Sequence, residues 1–334
     1  MTGQDHAVLH HYLAPLAHHL AQDGVTELVV NRPGELAIET GAGWTWSAAP
    51  ELTEAWLATL GRAAAAFTAQ DISPETPICS TALPNGERCQ VVLPPAAAHA
   101  SLTIRKPSAH AFDLQAFAQA GLFDRTARAS EALDPDEVAL ERLRDGGDWP
   151  EFFRQAVEGR KNILVSGATG SGKTTFAKAL VRLIPPDERL ITIEDTRELV
   201  VPHRNAVHLL HARDGQGLAQ VGPRQLLESA LRMRPDRILL QELRDGSAFY
   251  YLRNVNTGHP GSITTLHADS AALAFDQLTL LVKESESGRD LARQDIRALL
   301  HRLVDVVVQM RRKGGRFEVS EVWYEPVRKR ALAA

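Results

Sequence analysis

Cysteine is almost missing from this chain: its 334 residues include two, Cys79 and Cys89. That is too few for a disulfide framework or a four-cysteine zinc site, so the pair reads as small buried hydrophobes. Long apolar runs are missing too. None approaches the roughly 20 residues of a membrane span, so no integral span is expected and any membrane contact is peripheral. No secretory leader heads the sequence, which makes the cytoplasm the expected compartment. Excess charge of one sign is also lacking, since 37 Lys and Arg stand against 41 Asp and Glu for a net −4. Without a basic excess, no strong direct nucleic-acid binding is expected. The His-His pairs at 10–11 and 18–19 lie among leucines at helical spacing with no carboxylate or cysteine set nearby. They read as the polar face of a helix rather than as metal ligands.

What is present is enough apolar residue, 44%, to fill at least one core, at a length that favours two domains. Residues 6–21 have helical spacing and Gly24 ends them. A hairpin follows (25–30 and 36–38, turning at residues 32–35), then a third strand in which Trp44 and Trp46 share a face. Residues 52–69 return to helical spacing, and strands are expected near 87–93 and 101–105. This gives an N-terminal α+β domain over 1–110 with no catalytic constellation of its own. From 111 to 158 the pattern is helical but broken by Gly121, Asp134-Pro135 and Gly146-Gly147, which suits an interdomain connection. The remainder, 159–334, alternates β-like runs (162–166, 189–194, 206–210, 237–241, 262–266, 303–310) with helical patterns. Such alternation predicts a mostly parallel sheet covered on both faces. Gly314-Gly315 ahead of residues 316–323 predicts a two-residue hairpin.

The stretch that organises the chain is residues 162–175. The apolar run Ile163, Leu164, Val165 leads into Gly167-x-x-x-x-Gly172-Lys173-Thr174, and an amphipathic stretch leaves it. That is the strand–loop–helix context of a phosphate-binding loop. Its glycines let successive N–H groups face inward while the new helix aims its positive end at the same spot. The expected nucleotide-binding set is Gly167, Ala168, Thr169, Gly170, Ser171, Gly172, Lys173, Thr174 and Thr175. Lys173 reaches the β- and γ-phosphates of ATP, and Thr174 holds Mg²⁺.

Three later stretches supply the acids and charge such a site needs. Residues 191–199 place carboxylates at the end of the strand after the loop's helix, where α/β sheets seat ligands. Residues 238–242 are a strand closing on Glu242, the pattern of the Mg²⁺-side acid. Residues 258–268 form a glycine-bounded strand ending in His267, placed to sense or stabilise γ-phosphate charge.

Together these four stretches resemble the secretion-ATPase superfamily, as its Walker A, Asp box (193–199), Walker B (237–242) and His box (258–267). Residues 231–238, 258–268 and 101–108 resemble one branch closely, the hexameric traffic ATPases of type IV secretion and conjugation systems. The resemblance implies an N-terminal α+β domain followed by a RecA-like P-loop domain, and a homohexameric ring that hydrolyses ATP. It implies that Glu198 is the catalytic glutamate, Glu242 the Walker B acid and metal ligand with Thr174, and His267 the His-box residue. Arg88 and Arg105 fall on arginines of the N-terminal domain that reach the γ-phosphate, which suits arginine's planar fork. Arg232 and Arg234 are weaker candidates for a contact across the subunit boundary. Implied partners are inner-membrane components of the machine, with peripheral association at the inner membrane. The cluster Arg311, Arg312, Lys313, Arg316, Arg328, Lys329, Arg330 is a candidate for anionic lipid, or equally a solvated charged hairpin. A pilus retraction motor, an ATP-gated scaffold and a nucleic-acid-binding protein regulated by ATP remain as alternative readings.

Overall fold

The computed structural model describes residues 3–107, 113–128, 130–212, 216–256 and 258–331. Residues 111, 112 and 129 of the expected connection lie outside them.

The first lobe is an antiparallel sheet backed by two helices. Its helices are α1 (Gly3–Leu20) and α2 (Glu54–Phe67), and its strands β1 (Glu27–Val30), β2 (Gly34–Thr40), β3 (Gly43–Ala49), β4 (Ile78–Ala82), β5 (Arg88–Val92) and β6 (Ser101–Arg105). The order is β3-β2-β1-β6-β5-β4. Helix α2 starts where the Thr53 hydroxyl accepts the Trp56 N–H, satisfying a donor that the first turn leaves free. Strand β4 is not among those expected, because Ile78-Cys-Ser-Thr-Ala82 carries no clear alternation. Pairing with β5, from Ile78 opposite Val92 to Ala82 opposite Arg88, makes it a strand.

Side chains on this sheet alternate with period two. Leu28, Val30, Leu36, Ile38, Val91, Leu102 and Ile104 point into the core with α1 and α2. The opposite set is buried as well, Val29 and Ala37 fully, because the second lobe packs there. Register lines that face up in rows. One row crosses the sheet as Trp44, Glu39, Glu27, Arg105, Arg88, and the next as Trp46, Ala37, Val29, Thr103, Gln90.

After α3 (Leu114–Gln119), which buries no side chain, come α4 (Pro135–Gly146) and α5 (Trp149–Glu158). Asp134 caps α4 through a capping box with Glu137. Leu140, Phe152, Phe153, Ala156 and Val157 then enter the same core as Ile163 and Val165. The latter part of the expected connection is therefore one wall of the second lobe.

The second lobe continues as β7 (Ile163–Gly167), α6 (Lys173–Val181), β8 (Leu190–Glu194), β9 (Ala206–Leu210), α7 (Pro223–Ala230), β10 (Arg237–Leu240), β11 (Glu242–Leu243), α8 (Ser247–Asn256), β12 (Ile263–Leu266), α9 (Ala271–Glu284), α10 (Arg293–Leu303), β13 (Val306–Lys313), β14 (Arg316–Trp323) and α11 (Pro326–Ala331). Strands β10-β8-β9 are parallel, as are β11-β12-β7-β13, with β14 antiparallel at the end. Gln241 joins the two sets: its N–H donates to the Ile193 carbonyl at 3.2 Å and its carbonyl accepts from the Thr265 N–H at 3.2 Å. Every residue of β7 is buried, with Leu164 facing the α7–α10 side and Ile163 and Val165 the α5–α6 side. This is the two-faced cover expected of a parallel sheet. Gly314 and Gly315, both at positive φ, close the hairpin with Lys313 opposite Arg316.

The lobes meet through buried polar contacts. Arg189 is fully buried; its guanidinium donates to Asn31 Oδ1 at 2.7 Å, Asn205 Oδ1 at 2.5 Å, the Met233 carbonyl at 2.8 Å and Thr103 Oγ1 at 3.3 Å. Arg189 and Arg234 lie over Trp44, and Arg204 over Trp46 at 4.4 Å from the ring centroid. Gln90 donates to Ser229 at 2.8 Å. Residues 96–98 run antiparallel to β9, bridging Ala97 to Leu209.

Candidate functional site

The phosphate loop leaves β7 at Gly167, whose φ is +153°, and enters α6 at Gly172, φ +91°. A side chain at Gly167 would put its Cβ 2.4 Å from the Met310 carbonyl oxygen and 2.6 Å from Ser171 Oγ, so glycine is required for the neighbouring strand and the loop to approach so closely. Ser171 is buried with its hydroxyl unpartnered. Lys173 donates to the Ala168 carbonyl at 2.9 Å, arching across the loop, and stands 3.3 Å from His267 Nδ1. Burial lowers its pKa, with Arg244 acting the same way and Glu242 opposing. A lysine in this environment gains from an anion.

His267 links the loop to the acids, with its Nε2 2.9 Å from Glu242 Oε1. Glu242 also takes Arg244, which reaches Asp195 Oδ2 at 3.3 Å. The sequence-predicted residues Lys173, His267 and Glu242 thus form one line past the carboxyl ends of β7, β12 and β10, with Glu242 opening β11. Arg244, which motif reading passed over, ends that line. Its signal was its place two residues after Glu242, on the strand's exit.

Glu194 is buried at the end of β8. It accepts from the backbone N–H groups of Glu198 at 2.9 Å and Leu199 at 2.8 Å, and from Thr192 Oγ1 at 3.0 Å. Burial disfavours its charge, yet His208, the two N–H groups and Thr192 outweigh that and hold its pKa below the ordinary value. The ionised Glu194 fixes the turn that presents Glu198, which is exposed and close enough for Arg244 to feel its charge. A cavity of about 690 Å³ opens beside Glu194, Asp195, Gln241, Glu242 and Arg244, at the strand ends where such sheets bind ligands.

Arg88 and Arg105 are placed elsewhere. They line a cavity of about 550 Å³ with Glu27, Arg232 and Arg234, and no residue of the phosphate loop lines it. The two arginines are directly opposed across β5 and β6. Arg105 lies 3.4 Å from the buried Glu27, whose pKa is pushed up to about 7 by burial, against Arg105 and with help from Glu39. Arg234 is committed to Glu39 and Asp236; Arg232 is exposed.

The C-terminal basic cluster is not one free face. Arg311 pairs with Glu318, Lys329 with Asp305, and Arg330 with Glu137 and Asp134. Arg312 lies over Phe317. No described helix is long and apolar enough to cross a membrane. Among the described residues, no group of three His, Cys, Asp or Glu side chains could hold a metal ion. The hard oxygen donors Thr174 and Glu242 nonetheless suit Mg²⁺ arriving with phosphates, which needs one or two protein ligands rather than a cage.

Residues 144–328 match the family described as type II/IV secretion system protein. The type IV secretion system protein VirB11 of Bartonella quintana (strain Toulouse) is 49% identical, over 99% of this chain and 97% of its own. That of Brucella suis biovar 1 is 45% identical, over 98% of this chain and 93% of its own. The crystal structure of the VirB11 ATPase from the Brucella suis type IV secretion system in complex with sulphate superposes with a TM-score of 0.90 at 45% identity, covering 97% of this chain and 99% of that one.

Proposed function

This chain belongs to the VirB11 ATPases of type IV secretion systems, within the type II/IV secretion system protein family, and on that premise we propose how its residues carry out the reaction. As a member it is an ATPase that serves a type IV secretion machine. The observation that carries the mechanism is the line Lys173, His267, Glu242, Arg244 at the strand ends.

ATP phosphates enter the loop and draw Lys173 from the Ala168 carbonyl, which gives the partly desolvated ammonium the anion it lacks. Thr174 and Glu242 would hold Mg²⁺, which supplies neutralisation of the β- and γ-phosphate charge. Glu198, held on the turn that Glu194 organises, orients or deprotonates the attacking water. His267 touches both Lys173 and Glu242, so a γ-phosphate at one end of the line alters the other.

Arg88 and Arg105 complete the charge from a neighbouring copy. Like charges directly opposed across two strands are unfavourable without an anion between them, and Glu27, whose charge burial suppresses, is a weak counterion. The separation of their cavity from the loop within one chain supports a role in trans, as does an assembly into a homohexamer. The lobes we assign are an N-terminal α+β domain over 1–110 and a P-loop domain over 159–334, with 111–158 between them and its α4 and α5 packed as a wall of the second lobe. Docking is on inner-membrane components of the machine. The paired arginines and lysines at the C-terminal end favour a protein contact there over a lipid one.

Turnover of MgATP, nucleotide binding and mass in solution test this in wild type, Lys173→Ala and Glu198→Gln. Expected are turnover by a ring of about six subunits, lost binding in the first variant, and binding without hydrolysis in the second. Turnover retained by Glu198→Gln would remove Glu198 from the mechanism.

A further inference from the structure

Strand β7 and its loop have two flanks. On one side β11 opens on Glu242 and β12 runs into His267, so the acid and the histidine of the site lie on that side. The other flank is the β13–β14 hairpin, with Met310 paired to Gly167 itself. A nucleoside leaving the loop, away from the acids, meets this hairpin.

What it meets there is a ring. Phe317 on β14 is 59% exposed, yet it rests on the loop: a Cβ at Gly172 would come 3.2 Å from Phe317 Cδ1. Its cross-strand partner is Arg312, whose guanidinium carbon lies 5.4 Å from the ring centroid and braces it by a cation–π contact. The hairpin around it is charged and solvated, with Arg311, Arg312, Lys313 and Arg316 at its tip. A large aromatic left in water at the first turn of the phosphate-binding helix is poorly explained by packing, since it enters no core. A flat apolar face beside a phosphate site is the surface on which a nucleobase stacks.

We propose that Phe317, braced by Arg312, is the platform for the adenine ring of ATP bound at Lys173. The inference rests on the nucleotide-site reading above and adds to it the subsite that separates a nucleotide from a bare polyphosphate. Stacking uses the π face that every base has, so this contact gives affinity for a nucleoside triphosphate rather than selection among bases.

The test is calorimetric binding of MgATP and of magnesium tripolyphosphate to the full chain as wild type, Phe317→Ala and Phe317→Trp. Phe317→Ala is expected to weaken MgATP by about 10-fold or more while leaving tripolyphosphate unchanged, and Phe317→Trp to bind MgATP like wild type. Unchanged MgATP affinity in Phe317→Ala overturns the proposal. So does a parallel loss of both ligands, which would mean the ring only props the loop. Wild type binding neither ligand would instead sink the nucleotide-site reading, and this one with it.

Discussion

His301 is a histidine with no hydrogen bond at either ring nitrogen. It is 7% exposed, stacked on Phe275 with centroids 4.1 Å apart and 5.6 Å from Trp323. Burial lowers its pKa, Arg328 and Arg297 lower it further, and Asp276 opposes them. In the folded state it therefore takes up a proton at lower pH than in the unfolded chain. Its share of stability is complete above the unfolded value of about 6.5 and is lost as pH falls through that value toward the folded one, at up to about 1.4 kcal/mol per pH unit. Chemical denaturation at about pH 7.5 and pH 5.5 should show a larger acid loss in wild type than in His301→Leu; equal losses would clear His301 of the effect. At this scale the sequence read well where chemistry is written in a local motif. Lys173 was found from the loop's spacing, Glu242 and His267 from the strands that end in them and from the family resemblance, and the three side chains do meet. Glu194 and Arg244 were harder to see, because one acts through backbone N–H groups that appear only once the turn has folded, and the other is an arginine outside the motif proper.

Among elements, the phosphate loop has little room for an added side chain. At Gly167 an added Cβ meets a carbonyl of β13 and the Ser171 hydroxyl, and φ lies where side chains are strained. Gly167→Ala should cost about 2 to 3 kcal/mol, and thermal melts should lose the upward shift that MgATP gives wild type through linkage; a retained shift would contradict the geometry. The strands with long apolar runs were readable because a parallel sheet buries both faces, and β7 is buried throughout. Strand β4 was not, since its pairing with β5 rather than its own pattern makes it a strand. Nor could the sequence place Phe317 on the loop, because that depends on the register by which β13 lies against β7 and β14 against β13. The same holds for Arg88 and Arg105: their residue type suits phosphate, but the cavity they share with Arg232 and Arg234 is a product of lobe packing.

For the whole molecule the joint between lobes is decisive. Arg189 satisfies Asn31 and Asn205 at once, one from each lobe, beneath Trp44. Removing it orphans Asn31 Oδ1 in a buried place and leaves Asn205 Oδ1 with only the Asn31 Nδ2 donor at 3.0 Å, so Arg189→Ala should lower stability by on the order of 3 kcal/mol, far more than the exposed Arg224→Ala measured beside it. Comparable denaturation midpoints would show that the contact contributes little. The tryptophans were legible as a pair on one face, but not as seats for arginines from another lobe, because nothing local links residue 44 to residue 189. The joint also includes main chain: the Leu210 N–H donates to the Ala96 carbonyl at 2.8 Å and the Ala98 N–H to the His208 carbonyl at 3.0 Å, so the two lobes share a run of β hydrogen bonds. A body seamed in this way has no axle of its own at that seam. On the proposal that Arg88 and Arg105 act from a neighbouring copy, a chain in isolation lacks both the charge that completes its site and a body to push against.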